Sequence, residues 1–253
     1  MAGGGQDLGM RTVCGLGRRL QRLVGGNRSA AVPVRVAEIR PLAGARRPLV
    51  TDRLGDQRRG GARLDQVDGT TCGSAVLVAL AAWADPAETL RLEGELGSDQ
   101  AAGGTAVQPA AGLAVGFGAR FDARQKQVHR ESTRFWPRAL GTSPWGMAAW
   151  LRRHAPAAGP YRVRLVDDSS PEDLTDAIER TAAALAAGRP VPLLIGAFVP
   201  RHYVLALAAN AAGWHVYEPG SGQVRLVTLE QLRTHAVAPA LGFARWHAVL
   251  LPG

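Results

Sequence analysis

The amino-acid sequence predicts an α+β fold in which helices come first and an antiparallel β-sheet follows. An almost wholly apolar segment, residues 72–83, predicts a central buried helix. Five short runs of strand-forming residues between positions 191 and 251 are separated by turn residues, a pattern typical of strands that pair with their neighbours along the chain. Helices followed by consecutive strands indicate the α+β class, and 253 residues suffice for one large domain or one domain with appendages.

The start of the chain carries nearly all of the excess positive charge. Residues 1–60 hold 12 basic and 4 acidic side chains and contribute +8 of the net charge of +9, whereas residues 61–253 contribute +1. A nearly neutral body does not support a surface that tracks nucleic-acid phosphates, so nucleic-acid binding is not expected of it and is a weaker alternative for the basic start alone. We predict a basic, flexible leader over residues 1–60 and one globular domain over residues 61–253.

The leader has two interpretations. Apolar residues from Val13 to Leu23 recur at helical spacing between arginines. This pattern fits a basic amphipathic helix that contacts an anionic membrane or a partner. The many glycines instead favour a flexible tail.

Few features point to a special compartment or cofactor. Cys14 and Cys72 lie far apart in a chain that is large enough to fold without disulfides, so each is interpreted separately. No apolar run has the length of a transmembrane helix, and the N-terminus lacks the apolar core of a signal peptide, which predicts a cytoplasmic protein. We find no phosphate-binding glycine motif and no zinc-ligand spacing, so no cofactor or metal is expected. These features do not specify an oligomeric state.

Capping and stop signals set the bounds of the predicted elements. The helix over residues 72–83 follows Gly-Thr-Thr and stops at an Asp-Pro pair. A second, amphipathic helix starts at the cap Ser143, and a third spans residues 170–188 between a serine cap and a glycine stop. Residues 87–130 are ambiguous. Strands are predicted at 161–166, 191–199, 202–209, 214–219, 222–227 and 243–251, with a short helix at 228–236.

Cys72 stands at the predicted start of the apolar helix, within the segment "QVDGTTCGS". Unsatisfied backbone N–H groups and the positive end of the helix dipole favour a thiolate at such a position. Six residues earlier, the side-chain amide of Gln66 can donate a hydrogen bond to an oxyanion together with the Cys72 backbone N–H. A small buried cysteine is also common at a helix start, so this segment alone leaves both interpretations open.

A thiolate nucleophile needs an imidazole partner, and the imidazole needs a group that fixes its tautomer. His202 opens one predicted strand, and Glu218 closes the next. If these strands form a hairpin, an even register, such as Ala208 opposite Trp214, puts both side chains on one face as diagonal neighbours. An odd register would separate them. The other five histidines show no comparable pattern with an acidic partner.

The segments "QVDGTTCGSAVLVAL", "RHYVLALA" and "WHVYEPGSGQVRLVTLEQL" together resemble the papain-like cysteine peptidase superfamily. The most similar branch comprises the peptidases that cut leader peptides after a double glycine, usually within bacteriocin transporters. The resemblance covers residues 63–84 and 190–251, and it implies a papain-like fold in which the cysteine-bearing helix packs on the antiparallel sheet. It also implies a nucleophile at Cys72, an imidazole partner at His202 and an oxyanion donor at Gln66.

Glu218 departs from the family pattern, in which Asp or Asn precedes the proline of the turn. Its extra methylene displaces the carboxylate unless the backbone compensates. Because no transporter segment accompanies the domain, the resemblance implies a stand-alone enzyme or a bound maturation factor. It predicts a thiol-dependent hydrolase of amide or peptide bonds with a peptide or protein substrate. The alternatives are an inactive papain-like domain that binds a peptide or serves as a scaffold, and a related acyl-transfer or deamidation enzyme.

Overall fold

The computed structural model describes residues 10–24, 48–94, 116–133 and 141–253. The described helices are α1 (Val13–Val24), α2 (Cys72–Ala84), α3 (Pro86–Glu93), α4 (Phe117–Ser132), α5 (Pro144–His154), α6 (Pro171–Ala186), α7 (Leu229–Arg233) and α8 (Ala238–Leu241). The described strands are β1 (Gly55–Asp56), β2 (Arg58–Arg59), β3 (Ala62–Arg63), β4 (Tyr161–Leu165), β5 (Val191–Gly196), β6 (Pro200–Asn210), β7 (Gly213–Glu218), β8 (Gln223–Val227) and β9 (Arg245–Pro252).

A seven-stranded antiparallel sheet organises the described residues, with the strand order β1-β8-β7-β6-β5-β9-β4. Strands β5 to β8 follow one another along the chain and lie side by side, as the turn residues between them predict. Strand β9 returns to lie between β5 and β4, while β2 and β3 form a separate hairpin. The predicted α+β class is therefore confirmed.

Helices cover both faces of this sheet. Leu205 and Tyr217 point into the core that contains α2, whereas the alternating residues Val204 and Val216 point into the core that contains α6. Helix α2 contacts β6 on one side and α3, α4 and α5 on its other sides. It is apolar all round because it is surrounded, which confirms the prediction of a central buried helix.

The stop signal after α2 also starts the next helix. The Asp85 carboxylate accepts the Ala87 N–H at 2.9 Å, and Pro86 occupies the first turn of α3. The ambiguous stretch 87–130 therefore contains most of α3 and α4, and its residues 95–115 lie outside the described residues.

The predicted separation of residues 1–60 from the globular domain is corrected by the part of this segment that the structure describes. Leu49 and Val50 are each 3% exposed and belong to the core around α2. Strand β1 extends the main sheet by pairing with β8, and the Gln57 N–H donates to the Gly222 carbonyl at 2.8 Å. The sequence does not reveal the few core residues of this segment, because glycine and arginine dominate its composition. Residues 1–9 and 25–47 lie outside the described residues.

Helix α1 forms where the helical interpretation of the leader places it, but it packs on the domain through its polar side. Arg18 and Arg22 form ion pairs with Asp173, whose side chain is fully buried. Gly15 allows the close approach, because a Cβ at this position would lie 3.1 Å from Asp167 Oδ1. The apolar side of α1 is consequently turned away from the core.

Candidate active site

Cys72 is the first residue of α2. Among the described residues, no side chain caps this helix start. The Thr71 hydroxyl instead donates to the Asp68 carbonyl at 3.1 Å and accepts the Asp68 N–H at 3.0 Å. The first-turn N–H groups therefore keep the positive field that a capping oxygen would reduce. Cys72 is buried, with 5% of its residue surface exposed.

A β-bulge brings His202 and Glu218 together. Near the hairpin turn, Ala208 pairs with His215 and not with Trp214, which is an odd register. A register shift between Ala206 and Ala208 then changes the pairing to an even register toward the other end of the strands. Continuing that register makes His202 and Glu218 diagonal neighbours on one face.

The Glu218 carboxylate is held by its own turn and bonded to His202. His202 Nε2 lies 2.7 Å from Glu218 Oε1, and the N–H groups of Gly220 and Ser221 donate to Oε1 and Oε2 at 2.6 and 2.8 Å. A Cβ at Gly220 would lie 2.8 Å from Oε1, so a larger residue here would displace the carboxylate from this position. The backbone thus compensates for the extra methylene of Glu218. Because Nε2 faces Glu218, Nδ1 is the ring nitrogen left for Cys72.

The electrostatics of the site favour a proton on His202. Burial lowers the pKa of His202, but hydrogen bonds with Cys72 and Glu218 and attraction to their negative charges raise it to about 9. Burial likewise acts to raise the pKa of Glu218, but hydrogen bonds from His202, Ser221 and the Gly220 N–H lower it to about 2. At neutral pH the His202 ring therefore carries a positive charge beside the Glu218 carboxylate and near the Cys72 side chain.

Gln66 lies between the Glu218 turn and the start of α2. Its backbone N–H donates to the Pro219 carbonyl at 2.8 Å. Its side-chain Nε2 donates to the Asp68 carbonyl at 2.7 Å, the same oxygen that accepts the Thr71 N–H. The amide carries a second N–H that this bond does not use. Gln66 is thus beside the helix start, with its side chain turned toward its own loop.

The other histidines with described contacts bond elsewhere. His247 Nε2 is 3.1 Å from the Ala197 carbonyl, and burial lowers the pKa of His247 to about 4, so the ring is neutral and donates this bond. His215 accepts from the Asn210 amide at 2.9 Å. The structure also contains one acid–imidazole contact that the sequence does not predict. His235 Nδ1 lies 3.7 Å from Asp168 Oδ2, and this carboxylate is already paired with Arg245.

Sequence reasoning did not assign the loop before α5 to the site. A Cβ at Gly73 would lie 3.2 Å from both Thr142 Cβ and Tyr203 Cδ2, so this loop and β6 enclose the residue after Cys72. The sequence predicts only a helix start at this loop, because its contact with α2 is tertiary. Trp145 follows in the first turn of α5 and is 56% exposed.

Comparisons with known proteins do not identify the chain, because no protein-family model, no curated protein and no solved structure matches it.

Both cysteines are free. Within the described residues, no group of histidine, cysteine and acidic side chains could hold a metal ion. None of the described helices is long and apolar enough to cross a membrane. The local geometry around Cys72 and His202 is consequently the basis for assigning a function.

Proposed function

We propose that the protein is a thiol-dependent hydrolase of amide or peptide bonds with a papain-like fold and site. The observation that carries this proposal is the position of the His202 imidazole. One ring nitrogen bonds the Glu218 carboxylate at 2.7 Å, and the side chain of Cys72, at the start of a buried helix, lies near enough to raise the pKa of the imidazole. Nucleophile, proton carrier and orienting acid therefore occur in the order that cysteine-based acyl transfer requires.

The reaction proceeds in two halves. Cys72 Sγ attacks the carbonyl carbon of the amide, and the carbonyl electron pair moves onto oxygen. There the Cys72 N–H donates a hydrogen bond, and so does the second N–H of the Gln66 amide, which the bond to the Asp68 carbonyl does not use. The C–N bond then breaks, and His202 gives its proton to the leaving amine. Neutral His202 next takes a proton from water as the water oxygen attacks the thioester. Release of the acid breaks the C–S bond and restores the imidazolium–thiolate pair.

Selective alkylation of Cys72 tests the proposal without knowledge of the substrate. At pH 7, iodoacetamide is expected to modify Cys72 at least about 10-fold faster than Cys14, because thiolate is the reactive form. Cys14 is an internal control, since burial raises the pKa of Cys14 to about 11 while its residue is more accessible than Cys72. Accessibility alone thus predicts the opposite order. Tryptic digestion and mass spectrometry measure both rates.

The same experiment separates the alternatives. Equal or faster labelling of Cys14 would contradict the hydrolase and favour an inactive domain that binds a peptide. Selective labelling of Cys72 should be followed by a fluorogenic peptide library. Acylation of Cys72 without release of product into water would favour acyl transfer or deamidation, which share the thioacyl intermediate.

A further inference from the structure

A pocket of about 360 Å³ borders the His202–Glu218 pair. Arg225 of β8 lines it together with this pair, and α8 and Phe243 form an apolar wall. The Phe243 ring centroid lies 6.3 Å from that of His202. A volume of this size, at the lower end of the range for ligand pockets, suits a side chain or a short terminal segment.

Arg225 is a cation without a counterion among the residues that the structure describes. Its Nε atom is buried and makes no hydrogen bond there. The nearest acid by strand register is Glu218, because Arg225 pairs with Val216 and Glu218 pairs with Gln223. The Glu218 oxygens, however, are already bonded to His202 and to the N–H groups of the following turn. By contrast, the buried guanidinium of Arg245 is paired with Asp168 through two hydrogen bonds.

The position of the pocket beside His202 indicates which part of a substrate it takes. In the proposed reaction His202 protonates the leaving amine, so the leaving group lies against this imidazole. A half-buried arginine without a partner favours a carboxylate there, since a guanidinium bonds a carboxylate through two parallel N–H groups. We propose that Arg225 binds a carboxylate on the leaving-group side of the substrate. This inference rests on the proposed hydrolase and names its substrate class.

Two kinds of peptide carry such a carboxylate. One has Asp or Glu immediately after the cleaved bond, and the other ends there with its free α-carboxylate. Two pairs of peptides distinguish them. The first pair has Glu or Gln immediately after the cleaved bond, and both peptides have an amidated C-terminus. The second pair has Gln at that position, and the C-terminus is either free or amidated. One of the acidic peptides is expected to exceed its neutral partner at least about 10-fold in kcat/KM, the scale of a hydrogen-bonded charge.

Arg225→Gln is the test variant, and Arg152→Gln, on the exposed face of α5, is the matched control. The preference for the acidic peptide should disappear in Arg225→Gln while hydrolysis of the neutral peptide continues, and it should persist in Arg152→Gln. No preference in the wild type, or an unchanged preference in Arg225→Gln, would overturn the role of Arg225.

A binding measurement keeps this test independent of turnover. The same peptides are titrated into the Cys72→Ala variant and into the Cys72→Ala/Arg225→Gln double variant. The site is supported if an acidic peptide binds more tightly than its neutral partner only when Arg225 is present. Equal Kd values for acidic and neutral peptides would refute it. Cys72-dependent cleavage without a carboxylate preference would leave the hydrolase intact and remove only the Arg225 proposal.

Helix α1 carries a second, independent inference, because its exposed side is apolar. The exposed fractions rise along the helix, from Val13 at 45% to Val24 at 88%. Among the described residues, the exposed large hydrophobic side chains on or next to α1 are Met10, Val13, Leu16, Leu20, Leu23 and Val24. We call these six residues the α1 stripe. An apolar stripe on a helix that is already docked through its polar side is typical of an interaction surface.

The charge around the α1 stripe identifies the class of its partner. Helix α1 contains Arg18, Arg19 and Arg22 and no acidic residue, and Arg18 and Arg22 share the single carboxylate of Asp173, so this surface keeps a net positive charge. A second copy packed on the stripe would bring two such positive surfaces together, whereas an anionic lipid surface complements this charge. We infer that α1 lies in the interface of an anionic membrane. The Val13 N–H bonds the Phe198 carbonyl at 3.1 Å, so α1 begins beside the β5–β6 turn that leads to His202.

Vesicle sedimentation tests this inference. Wild-type protein is expected to sediment with vesicles of phosphatidylcholine and phosphatidylglycerol and several-fold less with phosphatidylcholine alone. Leu20→Gln/Leu23→Gln should lose this binding, and Leu229→Gln, an exposed leucine outside α1, should keep it. No sedimentation, or equal sedimentation of the stripe variant, would refute the membrane. Concentration-dependent dimerisation that only the stripe variant loses would assign the stripe to a second copy instead.

Discussion

Amide hydrolysis is expected to fall to the background rate in Cys72→Ala and by about 10²–10⁴-fold in His202→Ala. The first change removes the atom that forms the thioester. The second removes the proton donor for the leaving amine, and it also removes the cation that faces the sulfur. Turnover of the fluorogenic peptide that the wild type cleaves fastest measures both effects, and circular dichroism shows whether the variants fold.

Matched replacements elsewhere give the control for this result. Cys14→Ala removes the other thiol, and His215→Gln removes a histidine whose ring bonds Asn210 rather than the site. Both variants should retain turnover within about two-fold of the wild type. Retained turnover in Cys72→Ala, or an equal loss in Cys14→Ala, would contradict the assignment of the nucleophile.

Glu218→Gln is expected to move the alkaline limb of the kcat/KM profile to lower pH. The pKa of His202, about 9, depends on the Glu218 carboxylate as well as on Cys72. Wild-type activity should fall as the pH rises through about 9, because the imidazolium then loses its proton. Removal of the carboxylate charge should shift this limb by about one pH unit or more, while the isosteric amide keeps the side-chain shape. The relative loss should thus be larger at pH 8 than at pH 6.

The same pair makes folding stability depend on pH in two directions. The pKa of His202 is raised from 6.5, so its contribution is full below pH 6.5 and is lost as the pH rises through about 9. The pKa of Glu218 is lowered from 4.5 to about 2, so its contribution is present above pH 4.5 and is lost as the pH falls through about 2. Glu218→Gln should therefore lower the free energy of unfolding most between pH 4.5 and 6.5. Urea unfolding at pH 5.5 and 9.5 measures this difference, and an equal loss at both values would contradict the coupling.

The position of Cys72 was predictable because its causes are local. An apolar run that begins after Gly-Thr-Thr and ends before Asp-Pro specifies a buried helix, and Cys72 is its first residue in the structure as in the prediction. The partnership of His202 and Glu218 was predictable only conditionally, since it depends on a register. The structure reaches the even register through a bulge at Leu207, a one-residue feature that strand periodicity does not reveal.

By itself, the sequence determined the α+β class, the buried helix that begins at Cys72 and the strand order from β5 to β8, because periodicity, caps and turns act over a few residues. Only the tertiary structure decided that Leu49 and Val50 join the core and that α1 docks through arginines on Asp173. It also decided that Arg225 lies in the pocket beside His202. These arrangements join residues far apart in the chain, so they depend on which surfaces the packed sheet leaves open.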